Sequence, residues 1–295
     1  MGSRSVLIMG GSGFVGTHLA IRLRDECKVF TTCFRHPRRI AGVSSIPVSL
    51  SQPDSIKSAV LAAQADVVVY AAGARSTSDP KEIELVHSAG PLAVLGASAM
   101  LGSKFILLST SRVFDGSKGG YRETDPPIPR DGIGKANLTA ENGVKNRALN
   151  FAIVRSSPVY GLGPADNPSL SDRIIRELAL GRPVELDDEE VHRFAPIETL
   201  VETLAHACMD EGVKGILHHS GGEACTMLAL GKRIAARFKL PERLLRAQAA
   251  PRAESERSRN YTLDGTRSAA LLQMEPLLLE QGLDLLEKQL LAARS

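Results

Sequence analysis

Along the first half of the chain, short apolar runs alternate with amphipathic stretches. Val6-Leu7-Ile8-Met9 is one such run, and after it Val15, Leu19 and Leu23 recur at helical spacing, with Arg22, Arg24 and Asp25 among the polar positions. Lys28 to Phe34 predicts a second strand, Ile46-Pro47-Val48 a short third, and residues 51–65 a helix opened by Gln52-Pro53-Asp54. Asp66-Val67-Val68-Val69-Tyr70 is apolar and β-branched, the pattern of a buried parallel strand. A long helix is expected from about Pro80 to Leu101, then a strand at 104–108 that ends in Ser109-Thr110-Ser111. A helix from about Ile133 to Lys145 and a strand at 152–155 follow, leading to Ser156-Ser157-Pro158-Val159-Tyr160-Gly161. Beyond that the pattern loosens. Helices are expected over 170–180, 200–208, 226–238 and about 276–293, with a strand at 215–219. Asp187-Asp188-Glu189-Glu190 reads as a solvated acidic turn.

Strands that alternate with helices imply right-handed crossovers and a parallel sheet. The first crossover carries a glycine pattern, Gly10, Gly13 and Gly16, between the first strand and the first helix. Gly10 permits a tight turn, Gly13 lets backbone N–H groups approach a diphosphate, and Gly16 lets the helix lie close to the strand. Phe14 and Val15 open the helix, whose positive end favours an anion. The alternative is a glycine-rich turn without a ligand. Together these features predict an α/β fold: a Rossmann-type, doubly wound parallel sheet over residues 1–161, and a smaller, mainly substrate-binding lobe over 162–295, with part of the later chain returning to the sheet. Gly10, Arg35, Ala71 and Thr110 all fall at the carboxyl ends of strands, where ligands bind in such sheets. Ala71-Ala72-Gly73 offers small residues against which a flat ligand can lie.

The second strand decides which dinucleotide is expected. An NAD enzyme carries an acid near its end for the ribose hydroxyls. Here no acid occurs from Cys27 to Pro53, and Arg35, His36, Arg38 and Arg39 stand there instead. Arg35 and Arg38 suit a 2′-phosphate, which favours NADP(H) over NAD(H); a solvated basic loop is the other reading.

Bulk properties narrow the partners. A net charge of +3 over 295 residues gives no argument for nucleic acid. Cys27, Cys33, Cys208 and Cys225 lack metal-ligand spacing and read as reduced thiols, so no metal site is expected. No run resembles a signal peptide or a membrane span, which points to a cytoplasmic protein.

Further landmarks are Ser109-Thr110-Ser111-Arg112-Val113-Phe114-Asp115-Gly116, Tyr121-Arg122-Glu123-Thr124-Asp125, and Arg155 with Val159-Tyr160-Gly161. His192-Arg193-Phe194-Ala195-Pro196, the stretch from Gly215 to Glu223, and Tyr261-Thr262-Leu263-Asp264 complete the set. With the glycine turn they resemble an extended short-chain dehydrogenase/reductase. The branch they resemble holds the dTDP-4-dehydrorhamnose reductases and the regulatory beta subunit of methionine adenosyltransferase. The resemblance covers nearly the whole chain. It implies hydride transfer from a nicotinamide to a sugar carbonyl, with a Tyr as proton donor, a nearby Lys that lowers its pKa, and a Ser or Thr hydroxyl on the carbonyl. It places Thr110, or its neighbour Ser109, at that hydroxyl, Pro158 at the cofactor and Arg193 at the substrate. A strand-end hydroxyl that caps backbone is the plainer reading of Thr110.

The resemblance breaks at the proton donor. Matching Gly134, Lys135 and Ala140-Glu141 puts Ile133 at the Tyr position and Asn137 at the Lys position. The Asn that usually orders a water relay aligns with His87. Isoleucine has no proton to give, and asparagine no charge. Lys135, two residues from Asn137, is turned roughly 200° away on a helix. Tyr121 matches a Tyr the family has anyway. His87 can donate near neutral pH, or is an inert packed side chain. Two functions therefore stand. One is a sugar-nucleotide reductase with atypical or weakened proton transfer from His87, water or the substrate. The other is a catalytically inactive NADP(H)-binding protein that regulates or scaffolds a partner. An epimerase or dehydratase is a lesser alternative, since both also need the Tyr. A homodimer is left open.

Overall fold

Val6, Leu7 and Ile8 are fully buried because β1 (Ser5–Met9) lies inside the sheet and is apolar on both faces. This is seen in a computed structural model that describes residues 4–34, 38–74, 78–248 and 259–293. β1 pairs in parallel with β2 (Lys28–Cys33), Leu7 opposite Phe30, and with β4 (Val67–Tyr70), Leu7 opposite Val68. β3 (Val43–Pro47) lies beyond β2 and β5 (Lys104–Thr110) beyond β4, both parallel. With β6 (Phe151–Ser156) and β7 (Gly215–His219) the order is β7-β6-β5-β4-β1-β2-β3. The order reverses between β1 and β4, so a crevice is expected beyond their carboxyl ends. This is the doubly wound Rossmann-type sheet expected from the alternation of elements.

α1 (Phe14–Leu23) follows β1, and α2 (Pro53–Ala63) starts on a proline at its first turn, where the missing N–H costs nothing. One face of the sheet is covered by Ile56 and Val60 of α2, Val94 and Leu95 of α4 (Gly90–Ala99), and Ala140 and Val144 of α5 (Gly132–Arg147). They pack on Leu7, Val68, Phe105 and Ile153.

The single helix expected over 80–101 is instead α3 (Pro80–Glu84), a π-turn over Leu85–Ala89, and α4. The cause is Pro91, which has no N–H for a helical bond, and the chain widens by one residue just before it.

The chain divides into two compact units: residues 1–113, 127–155 and 201–217, and residues 114–126, 156–200 and 218–295. In the second, α6 (Leu170–Ala179) carries a full capping box from Ser169 and Asp172. α7 (Ile197–Met209) falls mostly in the first unit, whereas α8 (Met227–Arg237), α9 (Thr266–Leu272) and α10 (Leu279–Ala292) belong to the second. Its core joins Ile174 and Leu178 to Leu230, Ile234, Leu283 and Leu286. The acidic run at 187–190 is not wholly solvated. Asp187 Oδ1 accepts the N–H groups of Glu189 and Glu190, and Glu190 is buried in a short strand with Arg259 3.4 Å away. A buried strand position needs its charge paired, which spacing alone does not reveal. All four cysteines are free thiols.

His219 in the second unit is buried, and burial pushes its pKa down to about 4. An unfolded chain takes up that proton near pH ~6.5. Between those two values the unfolded state binds a proton that the folded state refuses, so stability falls as pH drops. The expected loss is about 3 kcal/mol. Denaturant unfolding at about pH 7 and pH 4.5 should show it, and His219→Gln should flatten the slope; an unchanged slope would assign it to other groups.

Candidate functional site

The turn after β1 is shaped by contacts that exclude side chains. Gly10 has φ +85°, and a Cβ there would lie 2.6 Å from Ala72 Cα. The turn therefore rests directly on the end of β4, where Ala71 N–H donates to Met9 O at 2.9 Å. Gly10 N–H donates to Thr32 Oγ1 at 3.0 Å. A Cβ at Gly16 would lie 2.3 Å from Gly10 O, so α1 runs tight against the turn. At Gly13 the nearest atom to an added Cβ is Gly10 O at 3.2 Å, leaving that side more open. No side chain caps α1 and no acid stands in its first turn. Its first N–H groups thus form an uncapped positive end. Phe14, Val15, Ala71 and Ala72 are half-buried and Gly73 is exposed, all within the first unit. Arg38 is half-buried in that unit; Arg35 lies outside the described residues.

The two hydroxyls at the end of β5 part company. Ser109 Oγ is buried and donates to Glu141 Oε1 at 2.6 Å. Glu141 in turn holds Arg155 through Nε and Nη2 at 3.0 and 2.7 Å, both side chains almost fully buried. Thr110 is half-buried, and its Oγ1 accepts Arg112 N–H at 3.2 Å, which leaves its own hydrogen to donate. Of the pair, Thr110 is the one able to meet a carbonyl.

α5 is capped by Asp131, whose Oδ1 accepts Gly134 N–H at 2.7 Å while Oδ2 takes Arg112 Nη1 at 2.8 Å. Ile133, Asn137 and Glu141 follow at four-residue spacing and share one face. Asn137 is buried, and its Nδ2 lies 2.9 Å from Ile133 O and 3.2 Å from His87 Nδ1. Burial holds the His87 pKa below its ordinary value, so the ring is neutral at pH 7. The pairing of His87 with Asn137, and the Glu141 partner of Ser109, escape the sequence reading. The i, i+4 stripe along α5 is the signal that groups 133, 137 and 141.

In the second unit Tyr121 is buried, stacked on Phe114 with ring centres 4.2 Å apart, and donates to Asp115 Oδ1 at 2.6 Å. Its backbone pairs with Thr262 O and Asp264 N, and its carbonyl meets His218 Nδ1 at 3.0 Å. Asp125 takes Lys118 Nζ at 2.8 Å and Arg122 N–H at 2.7 Å. The Val-Phe-Asp-Gly, Tyr-x-Glu-x-Asp and Tyr-Thr-Leu-Asp motifs thus tie one another together. Pro158 is half-buried, and its carbonyl accepts Ala195 N–H at 3.1 Å. Arg193 is half-buried; its Nε has no hydrogen-bond partner among the described residues. Among those residues no cluster of His, Cys, Asp or Glu is placed to hold a metal ion, and no helix is long and apolar enough to cross a membrane.

The family model described as the RmlD substrate binding domain matches residues 4–291. The methionine adenosyltransferase 2 subunit beta of Bos taurus is 28% identical over 282 residues, 91% of this chain and 83% of that protein. Relatives and solved structures named dTDP-4-dehydrorhamnose reductase are similar as well. The Mycobacterium tuberculosis protein is 26% identical over 231 residues, covering 75% of this chain and 71% of its own. The Bacillus anthracis structure, in complex with NADP, has a TM-score of 0.79 at 18% identity, over 99% of this chain and 100% of that one. MoeE5 in complex with UDP-glucuronic acid and NAD has a TM-score of 0.84 at 22% identity, over 98% of this chain and 99% of its own. Structural neighbours thus hold either NADP or NAD.

Proposed function

The chain belongs to the RmlD substrate binding domain family, and from that premise we propose that it binds NADP(H) and is built like a sugar-nucleotide reductase with weakened proton delivery. The carrying observation is a clear glycine turn beside two inert positions. Ile133 and Asn137 stand where a phenol and an ammonium are expected, and Asn137 is tied up with His87. Bound NADPH would supply the hydride. In this reading the N–H groups from Gly10 to Gly16 hold the diphosphate, and Arg35 with Arg38 hold the 2′-phosphate. On the first unit Ala71, Ala72 and Gly73 line the cofactor and Thr110 holds a carbonyl oxygen; on the second, taken by itself, Pro158 suits a cofactor and Arg193 the phosphates of a sugar nucleotide. Arg193 suits an anionic ligand because its buried Nε lacks a partner among the described residues. The proton for the new hydroxyl comes from water or substrate, since His87 is neutral and both of its nitrogens face hydrogen-bonding neighbours. The work site in this reading is the cytoplasm.

A second reading, a regulatory or scaffold subunit without turnover, draws support from the likeness to a protein named as a subunit. Titration calorimetry with NADPH and NADH, beside NADPH oxidation with a dTDP-4-keto sugar, separates the possibilities. NADPH should bind tightly and turnover should be slow; binding with no turnover selects the subunit reading. Arg38→Ala should weaken NADPH about tenfold or more and leave NADH unchanged. Equal weakening of both would contradict the 2′-phosphate assignment.

A further inference from the structure

The π-turn before Pro91 is a built device. Gly90 N–H reaches back five residues to Leu85 O. In that wider register the next carbonyl, Val86, would be served by residue 91, but proline has no N–H. Tyr70 Oη donates to Val86 O instead, at 2.7 Å. A Cβ on Gly90 would lie 2.6 Å from that hydroxyl, so glycine makes room for it. Tyr70 is 1% exposed, and burial pushes its phenol pKa up, which keeps the hydroxyl a donor.

The widened turn carries His87. Its Nε2 lies 3.1 Å from Ala74 N and 3.3 Å from Ala74 O, just past the Ala71-Ala72-Gly73 strip. Its Nδ1 faces the Asn137 amide at 3.2 Å, and that amide is anchored on Ile133 O at 2.9 Å. The Ala74 peptide and an asparagine amide each offer both a donor and an acceptor. With the Asn137 Nδ2 hydrogens turned to Ile133 O and to Nδ1, the neutral imidazole carries its own hydrogen on Nε2, towards Ala74 O. A lysine at 137 could only donate and would bring a charge.

We infer that positions 87, 133 and 137 act together as a clamp: His87 is a positioning residue that pins the backbone at Ala74, and Asn137, held by the Ile133 carbonyl, is its brace. Since Ala72 already rests on Gly10, the clamp holds the strip from its far end and so keeps its surface set for a dinucleotide. The substituted acid–base positions thus serve cofactor binding. Only the link to cofactor affinity rests on the NADP(H) reading; the clamp itself can be measured on the ligand-free chain.

The test is amide hydrogen exchange at residues 71–74 of the ligand-free full chain, with NADPH titration alongside. His87→Ala should speed exchange at Ala74 and weaken NADPH, each about five- to tenfold. Asn137→Leu should do the same to a smaller degree. His87→Gln, whose amide also donates and accepts, should retain much of both. Asn137→Lys alone should speed exchange rather than restore activity. Exchange that is unchanged in His87→Ala overturns the clamp; if that variant fails to fold, unchanged exchange in Asn137→Leu and Asn137→Lys does so. Should the natural chain bind no NADPH, the NADP(H) reading falls while the exchange data still decide the clamp.

Discussion

Ile133→Tyr combined with Asn137→Lys is expected to raise NADPH-dependent reduction of a dTDP-4-keto sugar by ~10²–10⁴-fold, the usual worth of a positioned general acid. The two positions lie four residues apart on α5 and share a face, so a phenol and an ammonium placed there would meet. A free phenol titrates near pH ~10, and a neighbouring ammonium lowers that value toward neutrality. Neither change suffices alone. The Tyr by itself keeps a high pKa; the Lys by itself has no phenol to tune and removes the brace on His87. Initial rates of NADPH oxidation report the gain. If NADPH binds and the rate stays at background, the residues that hold the sugar have diverged as well, and the subunit reading stands.

Arg155→Met is expected to cost ~3–5 kcal/mol of stability, because it strands a buried carboxylate. Glu141 is 0% exposed and Arg155 1%. With the guanidinium gone, Glu141 keeps the hydroxyl of Ser109 as its partner in this group. The combined Glu141→Leu, Arg155→Met variant should recover most of the loss, since an apolar pair of similar volume replaces a buried ion pair at little cost. Urea unfolding of the three proteins measures this. A single-variant cost below ~1 kcal/mol would mean that water reaches the pair, as it does for surface ion pairs. The pair also ties α5, and with it positions 133 and 137, to β5 and β6. Part of the lost stability should therefore appear as weaker NADPH binding.

Local physics explains which features were legible. An apolar β-branched run such as Val67-Val68-Val69 is readable because burial on both faces demands it at every position. Gly10 and Gly16 are readable because the spacing of a strand, a turn and a helix is itself local, and the φ of +85° at Gly10 agrees with the turn expected there. Pro91 is equally visible in the sequence, but the π-turn it brings at Leu85–Ala89 is not. What repairs the break is Tyr70, a residue from another strand. Ser109 and Thr110 looked interchangeable as adjacent hydroxyls; only the distant Glu141 separates them. Glu190 looked solvated because nothing nearby in the chain announces Arg259.

By itself the sequence determined the alternating α/β architecture, the glycine turn, and the absence of a Tyr and a Lys at the matched positions, because each is written in residues a few places apart. Tertiary structure alone decided that Ser109 gives its hydrogen to Glu141 while Thr110 keeps its own, and that Asn137 pairs with His87 and with the Ile133 carbonyl. Those outcomes depend on hydrogen bonds between residues tens of positions apart, and such partners are chosen only when packing brings them together and burial penalises any left unmatched.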